Sequence, residues 1–252
     1  MNTAFSLAGR RIMVTGANTG IGQGIAVSIA RAGGAVIGVG RSAMDETAGL
    51  VEAEGAAFKA VQCDLADSAA AGRMFDAAWD EHGPVDGLVN NAGIIRRADA
   101  LDFSEADWDD VMDVNLKTLF VLSQAFGRRL VAEGRPGKIV NVASLLSFQG
   151  GIRVASYTAS KHGVLGITRL LANEWAAKRI NVNAVAPGYI ETNNTEPLRA
   201  DADRNAAILG RIPAGRWGRP EDIGDTAVFL LAPASDYMHG AVVPVDGGWL
   251  AR

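Results

Sequence analysis

Tyr157 and Lys161 are one helical turn apart in Tyr157-Thr-Ala-Ser-Lys161, and Ser144 lies thirteen residues before the tyrosine. A phenol, an ammonium and a second hydroxyl can meet one carbonyl or alcohol together. The phenol then exchanges a proton, the second hydroxyl holds the substrate oxygen, and the cation favours the phenolate. This is redox chemistry that needs no metal. A helix over residues 157–177 puts Tyr157 and Lys161 on one face. A free tyrosine titrates near ~10, and lowering it by ~2 to 3 units takes roughly 3 to 4 kcal/mol of preferential stabilisation of the anion. Lys161 is the expected source. The Tyr-x-x-x-Lys spacing alone is weak, because ordinary surface helices carry it by chance, so its weight depends on the rest of the chain.

Arg11–Val14 reads as a short apolar strand, followed by Thr15-Gly16-Ala17-Asn18-Thr19-Gly20-Ile21-Gly22 and an amphipathic run from Ile21 to Arg31. Strand, glycine loop and helix in that order make a phosphate cradle. Gly16, Gly20 and Gly22 permit a tight turn and close backbone approach, and the helix N-terminus presents free N–H groups to an anion such as a dinucleotide pyrophosphate. The spacing Gly-x-x-x-Gly-x-Gly differs from the Gly-x-Gly-x-x-Gly of many dinucleotide folds.

Strand-like runs recur at Ala35–Val39, Phe58–Cys63, Gly87–Asn90, Lys138–Val142, Asn181–Ala186 and Ala241–Val245, separated by helical lengths. Such alternation predicts an α/β fold in one domain over residues 1–252: a doubly wound, Rossmann-type parallel sheet of seven strands with helices on both faces, a three-layer sandwich. Ligands bind such sheets at the carboxyl ends of the strands, where the motifs above fall. The alternation breaks between Gly188 and Gly218, where Asn193-Asn194, Pro197, Pro213 and Gly215 bound a short helical piece. Residues 189–217 read as a substrate lid, or alternatively as a surface loop.

Composition narrows the field. The 252 residues, 48% of them hydrophobic, can bury one substantial core. Met1 to Arg11 has no apolar leader core and no stretch reaches membrane-span length, so a cytoplasmic protein is expected. A formal charge of -4 argues against nonspecific nucleic-acid binding, and the expected partner is a small molecule. Cys63 is the only cysteine and His82, His162 and His239 are scattered, so neither a disulfide nor a metal site is expected.

Thr15–Gly22, Asn90-Asn91-Ala92-Gly93, Asn115, Ser144, Tyr157–Lys161 and Pro187-Gly188 together resemble the short-chain dehydrogenase/reductase family over essentially the whole chain. More narrowly, Ile95–Leu101, Ser147–Arg153, Thr192–Thr195 and Val245–Arg252 resemble the group of 2-deoxy-D-gluconate 3-dehydrogenases, also described as 2-dehydro-3-deoxy-D-gluconate 5-dehydrogenases. The gluconate 5-dehydrogenases are a sister group. The resemblance implies a sheet order of 3-2-1-4-5-6-7, a homotetramer, and hydride transfer between a nicotinamide and a hydroxy or keto group of a deoxyhexonate-type sugar acid. The same chemistry on gluconate or on another polyol, ketone or acyl substrate is the alternative. A non-catalytic dinucleotide-binding protein is a remote one, disfavoured by the intact Ser144, Tyr157 and Lys161.

Carried over residue by residue, the resemblance makes Ser144, Tyr157 and Lys161 the catalytic set, with Asn115 anchoring a water relay to Lys161. A cationic nicotinamide adds to Lys161 in favouring the phenolate. Gly16, Asn18, Thr19, Gly20, Ile21 and Gly22 hold the pyrophosphate. Asp64 and Leu65 flank the adenine, although Asp64 reads equally well as a turn residue. Asn91, Ala92 and Gly93 close over the cofactor, although paired asparagines also suit a turn. Tyr157 and Lys161 reach the ribose, and Pro187, Gly188, Ile190 and Thr192 cover the nicotinamide. The second strand ends in Val39-Gly40-Arg41-Ser42 with no acid to accept from a ribose 2'-hydroxyl. Arg41 therefore favours NADP, with NAD as the alternative. Beside Ser144 and Tyr157, the expected substrate contacts are Arg153, Arg96 and Arg97, whose guanidiniums suit a carboxylate. Salt bridges are the competing reading, equally weighted for Arg96 and Arg97 and less so for Arg153, which lies four residues before Tyr157 in the loop leading to the catalytic helix.

Overall fold

The computed structural model describes residues 3–252; Met1 and Asn2, at the start of the segment read above for an apolar leader, lie outside the described residues. Seven strands form one parallel sheet: β1 (Arg11–Thr15), β2 (Ala35–Gly40), β3 (Phe58–Gln62), β4 (Gly87–Asn90), β5 (Gly137–Val142), β6 (Ile180–Pro187) and β7 (Val242–Val245), in the order β3-β2-β1-β4-β5-β6-β7. Each lies within one residue of its expected position at either end. The order reverses beside β1, which pairs with β2 on one side (Ile12 with Val36) and β4 on the other (Ile12 with Gly87). That reversal opens the crevice at the strand ends.

The sheet is covered on both faces by α1 (Gly20–Arg31), α2 (Asp45–Ala53), α3 (Ser68–His82), α4 (Glu105–Met112), α5 (Thr118–Glu133), α6 (Ala155–Trp175) and α9 (Pro220–Leu231). Two shorter helices, α7 (Glu196–Ala200) and α8 (Ala202–Leu209), stand outside it between β6 and α9. Successive β1 side chains enter different cores. Ile12 and Val14 pack with Ile25, Ile29, Ile223 and Leu230 of α1 and α9, whereas Met13 packs with Phe75, Leu122 and Phe126 of α3 and α5. Helices on both faces bury β5 and β6 throughout, including Lys138, Asn141, Asn181 and Asn183, whose side chains find hydrogen-bond partners inside.

Candidate active site

The glycine loop is tied down from both sides before any ligand is considered. The Gly16 amide donates to the Val39 carbonyl at 2.7 Å. Thr15 Oγ1 donates to the Val89 carbonyl at 3.3 Å and accepts the Asn91 and Ala92 amides at 3.0 Å each, while Asn91 Nδ2 donates to the carbonyls of Thr15 (2.9 Å) and Gly16 (3.2 Å). Asn91 therefore clamps β4 to the loop. Gly16 and Gly20 adopt φ of +66° and +58°, in the left-handed region. A Cβ on Gly22 would lie 2.0 Å from the Gly16 carbonyl oxygen, so the helix can start this close to the turn only without a side chain there. Thr19 caps α1 with extended backbone and no side-chain hydrogen bond to the helix, and no acid stands in its first turn. No side chain of that turn competes with an anion for the leading amides. This cradle fits a dinucleotide pyrophosphate.

At the end of β2, Asn18 Nδ2 donates to Ser42 Oγ at 2.9 Å, and exposed Arg41 is held by its backbone, whose carbonyl accepts from Gln62 Nε2 at 2.9 Å. Asp64 is exposed and accepts from the Ala66 amide at 3.0 Å, forming a local turn at the end of β3; Leu65 is buried behind it and its carbonyl accepts from Thr118 Oγ1 at 2.8 Å.

Two strands along, Ser144 follows β5 and caps a single turn of 3-10 helix over residues 145–147. Its Oγ accepts the Leu146 amide at 3.2 Å, and its own amide donates to Ser147 Oγ at 3.3 Å. Ser147 Oγ in turn donates to the Lys161 carbonyl at 2.7 Å, so one buried hydroxyl joins the Ser144 turn to the helix carrying Tyr157 and Lys161. Ser147 was recognisable in sequence only as part of a resembling segment; nothing in its type or spacing marks it as this link.

Tyr157 and Lys161 share a face of α6, with Lys161 Nζ 5.6 Å from the tyrosine ring centre. The ammonium donates to the Val142 carbonyl at 2.7 Å and is buried. Burial raises the Tyr157 pKa above its ordinary value, against the Ser144 hydroxyl and the charge of Arg97, which lower it. This corrects the expectation that Lys161 brings the tyrosine down: desolvation outweighs both lowering influences.

Burial also lowers the Lys161 pKa from 10.5 to about 8. The sign follows from linkage. Between about 8 and 10.5 the unfolded chain keeps a proton that the folded protein has released, so stability rises with pH across that window. Below about 8 the cost of the buried charge is fully present. Lys161→Met removes this slope. The variant's stability advantage should shrink by ~2 kcal/mol between pH 7.5 and 9.5 in paired urea denaturation curves. Parallel curves would show that the ammonium is not charged and buried.

Asn115 sits in a π-helical turn, residues 113–117, between α4 and α5. Such turns widen a helix and re-aim a side chain into a site. Its amide accepts from the Ile94 N–H at 2.8 Å and donates to the Ile94 carbonyl at 2.9 Å and Ser160 Oγ at 3.3 Å; Ser160 Oγ donates to the Tyr157 carbonyl at 2.8 Å. Asn115 thus joins the segment after β4 to the Tyr157 turn. Its reach toward Lys161 stays an expectation.

The three arginines part ways. Arg96 pairs with Asp107 (3.3 Å) and Asp110 (3.0 Å) of α4. Arg153 pairs with Asp99 at 3.1 Å on the exposed rim, and its backbone, in the left-handed region at φ 63°, accepts from the Ala98 amide at 3.2 Å. Both guanidiniums already have carboxylate partners. Arg97 is exposed, and its charge acts on Tyr157.

The chain matches, over residues 16–250, the family model described as Enoyl-(Acyl carrier protein) reductase. It is 56% identical over 252 residues to the 2-dehydro-3-deoxy-D-gluconate 5-dehydrogenase of Dickeya dadantii, covering 100% of this chain and 99% of that protein. This chain belongs to the short-chain dehydrogenase/reductase family. Among solved structures it resembles one from Agrobacterium tumefaciens assigned as a 2-deoxy-D-gluconate 3-dehydrogenase with bound NADP, at 64% identity, TM-score 0.95 and 100% coverage of both chains. It also resembles one from Beutenbergia cavernae assigned as an NAD(P)-dependent gluconate 5-dehydrogenase with NADP at low occupancy, at 51% identity and TM-score 0.95, covering 99% of this chain and 100% of that one.

In this short-chain dehydrogenase/reductase the segment after β6 forms two helices, α7 and α8, rather than the single short piece expected. Its base is rigid. Ile190 bridges to Gly218, Tyr189 meets Trp217 edge-to-face (5.5 Å between ring centres) and Trp249 at a tilt (4.8 Å), and Arg211 lies 4.0 Å over Trp249. Trp249 also packs with Leu145 and Ile212, so the chain's last turn joins the segment after β6 to the residue beside Ser144. Pro187 ends β6 and the Gly188 amide donates to the Val245 carbonyl at 2.9 Å. Thr192 hangs over the glycine loop: a Cβ on Gly20 would meet its methyl group at 3.3 Å. Among the described residues no group of three His, Cys, Asp or Glu could hold a metal, and no helix is long and apolar enough to cross a membrane.

Proposed function

We propose that this enzyme transfers a hydride between NADP and a hydroxy or keto group of a deoxyhexonate-type sugar acid such as 2-dehydro-3-deoxy-D-gluconate. The observation that carries the reading is the meeting of Ser144, Tyr157 and buried Lys161 beside Arg97, whose charge reaches the tyrosine. When bound, the nicotinamide supplies or accepts the hydride. Ser144 holds the reacting oxygen, and Tyr157 gives it a proton in reduction or takes one in oxidation. Lys161 holds its charge near the phenol and toward the ribose hydroxyls. Gly16 to Gly22, Asn91 to Gly93, Pro187, Gly188, Ile190 and Thr192 line the cofactor side, with Asp64 and Leu65 at the adenine end.

Arg41, with no acid beside it, supports NADP through a bidentate fit to a 2'-phosphate, and the NADP in the two solved relatives supports the same choice. Identity to the Dickeya enzyme supports the deoxyhexonate. Resemblance to the Beutenbergia protein supports gluconate as a second substrate reading. A tetramer and a cytoplasmic location belong to the same proposal. Trp108 of α4, Val131 of α5 and Leu170 of α6 expose apolar surface for subunit contact, and light scattering on the purified protein tests the assembly.

Arg97 is the residue proposed to hold the substrate carboxylate, in preference to Arg96 and Arg153, which have acidic partners. Arg97→Leu should lower kcat/KM roughly ten- to a hundred-fold for sugar acids, the effect of a lost charge-assisted pair. Neutral polyols and diketones should lose much less, with only a rise in the pH at which Tyr157 titrates. Equal loss for both classes would leave Arg97 with an effect on Tyr157 alone, and the sugar-acid reading without a residue to carry it.

A further inference from the structure

The lid carries a guanidinium without a counter-charge. Arg199 of α7 is half-buried; its Nη2 donates to the Thr192 carbonyl at 3.2 Å, while its Nε is shut off from water and has no acceptor. Arg96, Arg129 and Arg216, by contrast, each engage carboxylates. Glu196, one turn before Arg199, is exposed and is not among its partners. Withdrawing a guanidinium N–H from water without an acceptor is unfavourable, and in a folded protein it points to a partner that arrives later.

Its position says which partner. Thr192, whose carbonyl holds Arg199, is the residue whose methyl group lies against Gly20. Gly20 opens α1, where the leading amides face no acid. Arg199 is thus anchored to the part of the lid lying over the phosphate cradle, whereas Arg97 acts at Tyr157 and Arg41 stands at the end of β2.

We propose that Arg199 pairs with the pyrophosphate of the bound dinucleotide and so couples cofactor binding to closure of residues 193–209 over the site. The inference rests on the reading of the glycine loop as a dinucleotide cradle. A guanidinium suits this role because it donates two parallel hydrogen bonds to phosphate oxygens and keeps its charge at all working pH values. The pyrophosphate is common to NADPH, NADH and ADP-ribose, so Arg199 contributes alike to all three.

The test uses the full-length protein and the quenching of tryptophan fluorescence on titration with NADPH, NADH and ADP-ribose. Arg199→Met should weaken all three by about ten- to a hundred-fold, with the loss shrinking at high salt. Arg199→Gln keeps a donor for the Thr192 carbonyl without the charge, should fold where the methionine variant does not, and should show the same loss. Hydrogen exchange over residues 193–209 should slow on adding ADP-ribose to wild type and much less in either variant. Unchanged dinucleotide affinity overturns the proposal, and a rise confined to the KM for the sugar acid would assign Arg199 to the substrate carboxylate instead. A loss for NADPH alone also overturns it, in favour of the 2'-phosphate. If wild type binds none of the three, the dinucleotide reading itself fails.

Discussion

Tyr157→Phe should lower turnover by ~10²-fold or more while NADPH binds within a few-fold of wild type, because the change removes the transferable proton and little else. The ring stays against Lys161, 5.6 Å from its ammonium, and Lys161 keeps its bond to the Val142 carbonyl. Ser144 also keeps its place, because its turn is held by Leu146 and Ser147 rather than by the tyrosine. Burial raises the phenol's pKa further above neutrality, so the loss should be present in the reduction direction at neutral pH. Single-turnover oxidation of NADPH, followed by absorbance, isolates the step from product release. A variant that turns over at near the wild-type rate would remove Tyr157 from the mechanism.

Gly22→Ala should all but abolish dinucleotide binding, with a loss of about a hundred-fold or more from backbone displacement alone. By helix propensity the change should help, since alanine is favoured over glycine by about 1 kcal/mol in a helix. Contact overrides propensity here. The added methyl would sit 2.0 Å from the Gly16 carbonyl oxygen and 2.5 Å from Asn91 Nδ2, so the loop, the clamp or both must move. Either movement breaks the Asn91 bonds to Thr15 and Gly16 that shape the cradle. Gly49→Ala in α2 is the matched control, since nothing lies within 4 Å of the added carbon, and it should raise stability slightly without touching affinity. Calorimetric titration with NADPH and thermal melts of both variants check this. Wild-type affinity in Gly22→Ala would mean that the loop is not a rigid cradle.

Much of the architecture was legible because it depends on local pattern. Short, mainly apolar runs at strand length, each followed by helical length, locate all seven strands to within a residue, since the inner strands are covered on both faces and most of their side chains are apolar. The glycine loop and the Tyr157–Lys161 turn were legible for the same reason: their spacing is set by one turn of chain and one turn of helix. The order of the strands came from resemblance, because alternation alone fits several windings.

What the chain's own residues do to one another was decided by the tertiary structure. Three arginines were candidates for the substrate carboxylate, yet Arg96 meets Asp107 and Asp110 from α4, Arg153 meets Asp99 across the rim, and Arg97 is exposed with its charge acting on the tyrosine. Position along the chain favoured Arg153, and it could not show the outcome because the acidic partners lie elsewhere: Arg153 is the one met by Asp99. The direction of the Tyr157 shift was likewise invisible in sequence, where the nearby cation suggested a lowered value; burial of the phenol reverses it. Arg199 carried no motif at all. Its interest comes from a bond to Thr192 and a buried nitrogen without a partner, both created when the segment after β6 packs against the glycine loop. Spacing along the chain determines which groups can act, and solvent exclusion and counter-charge, which exist only once distant segments pack, determine which of them are left to do so.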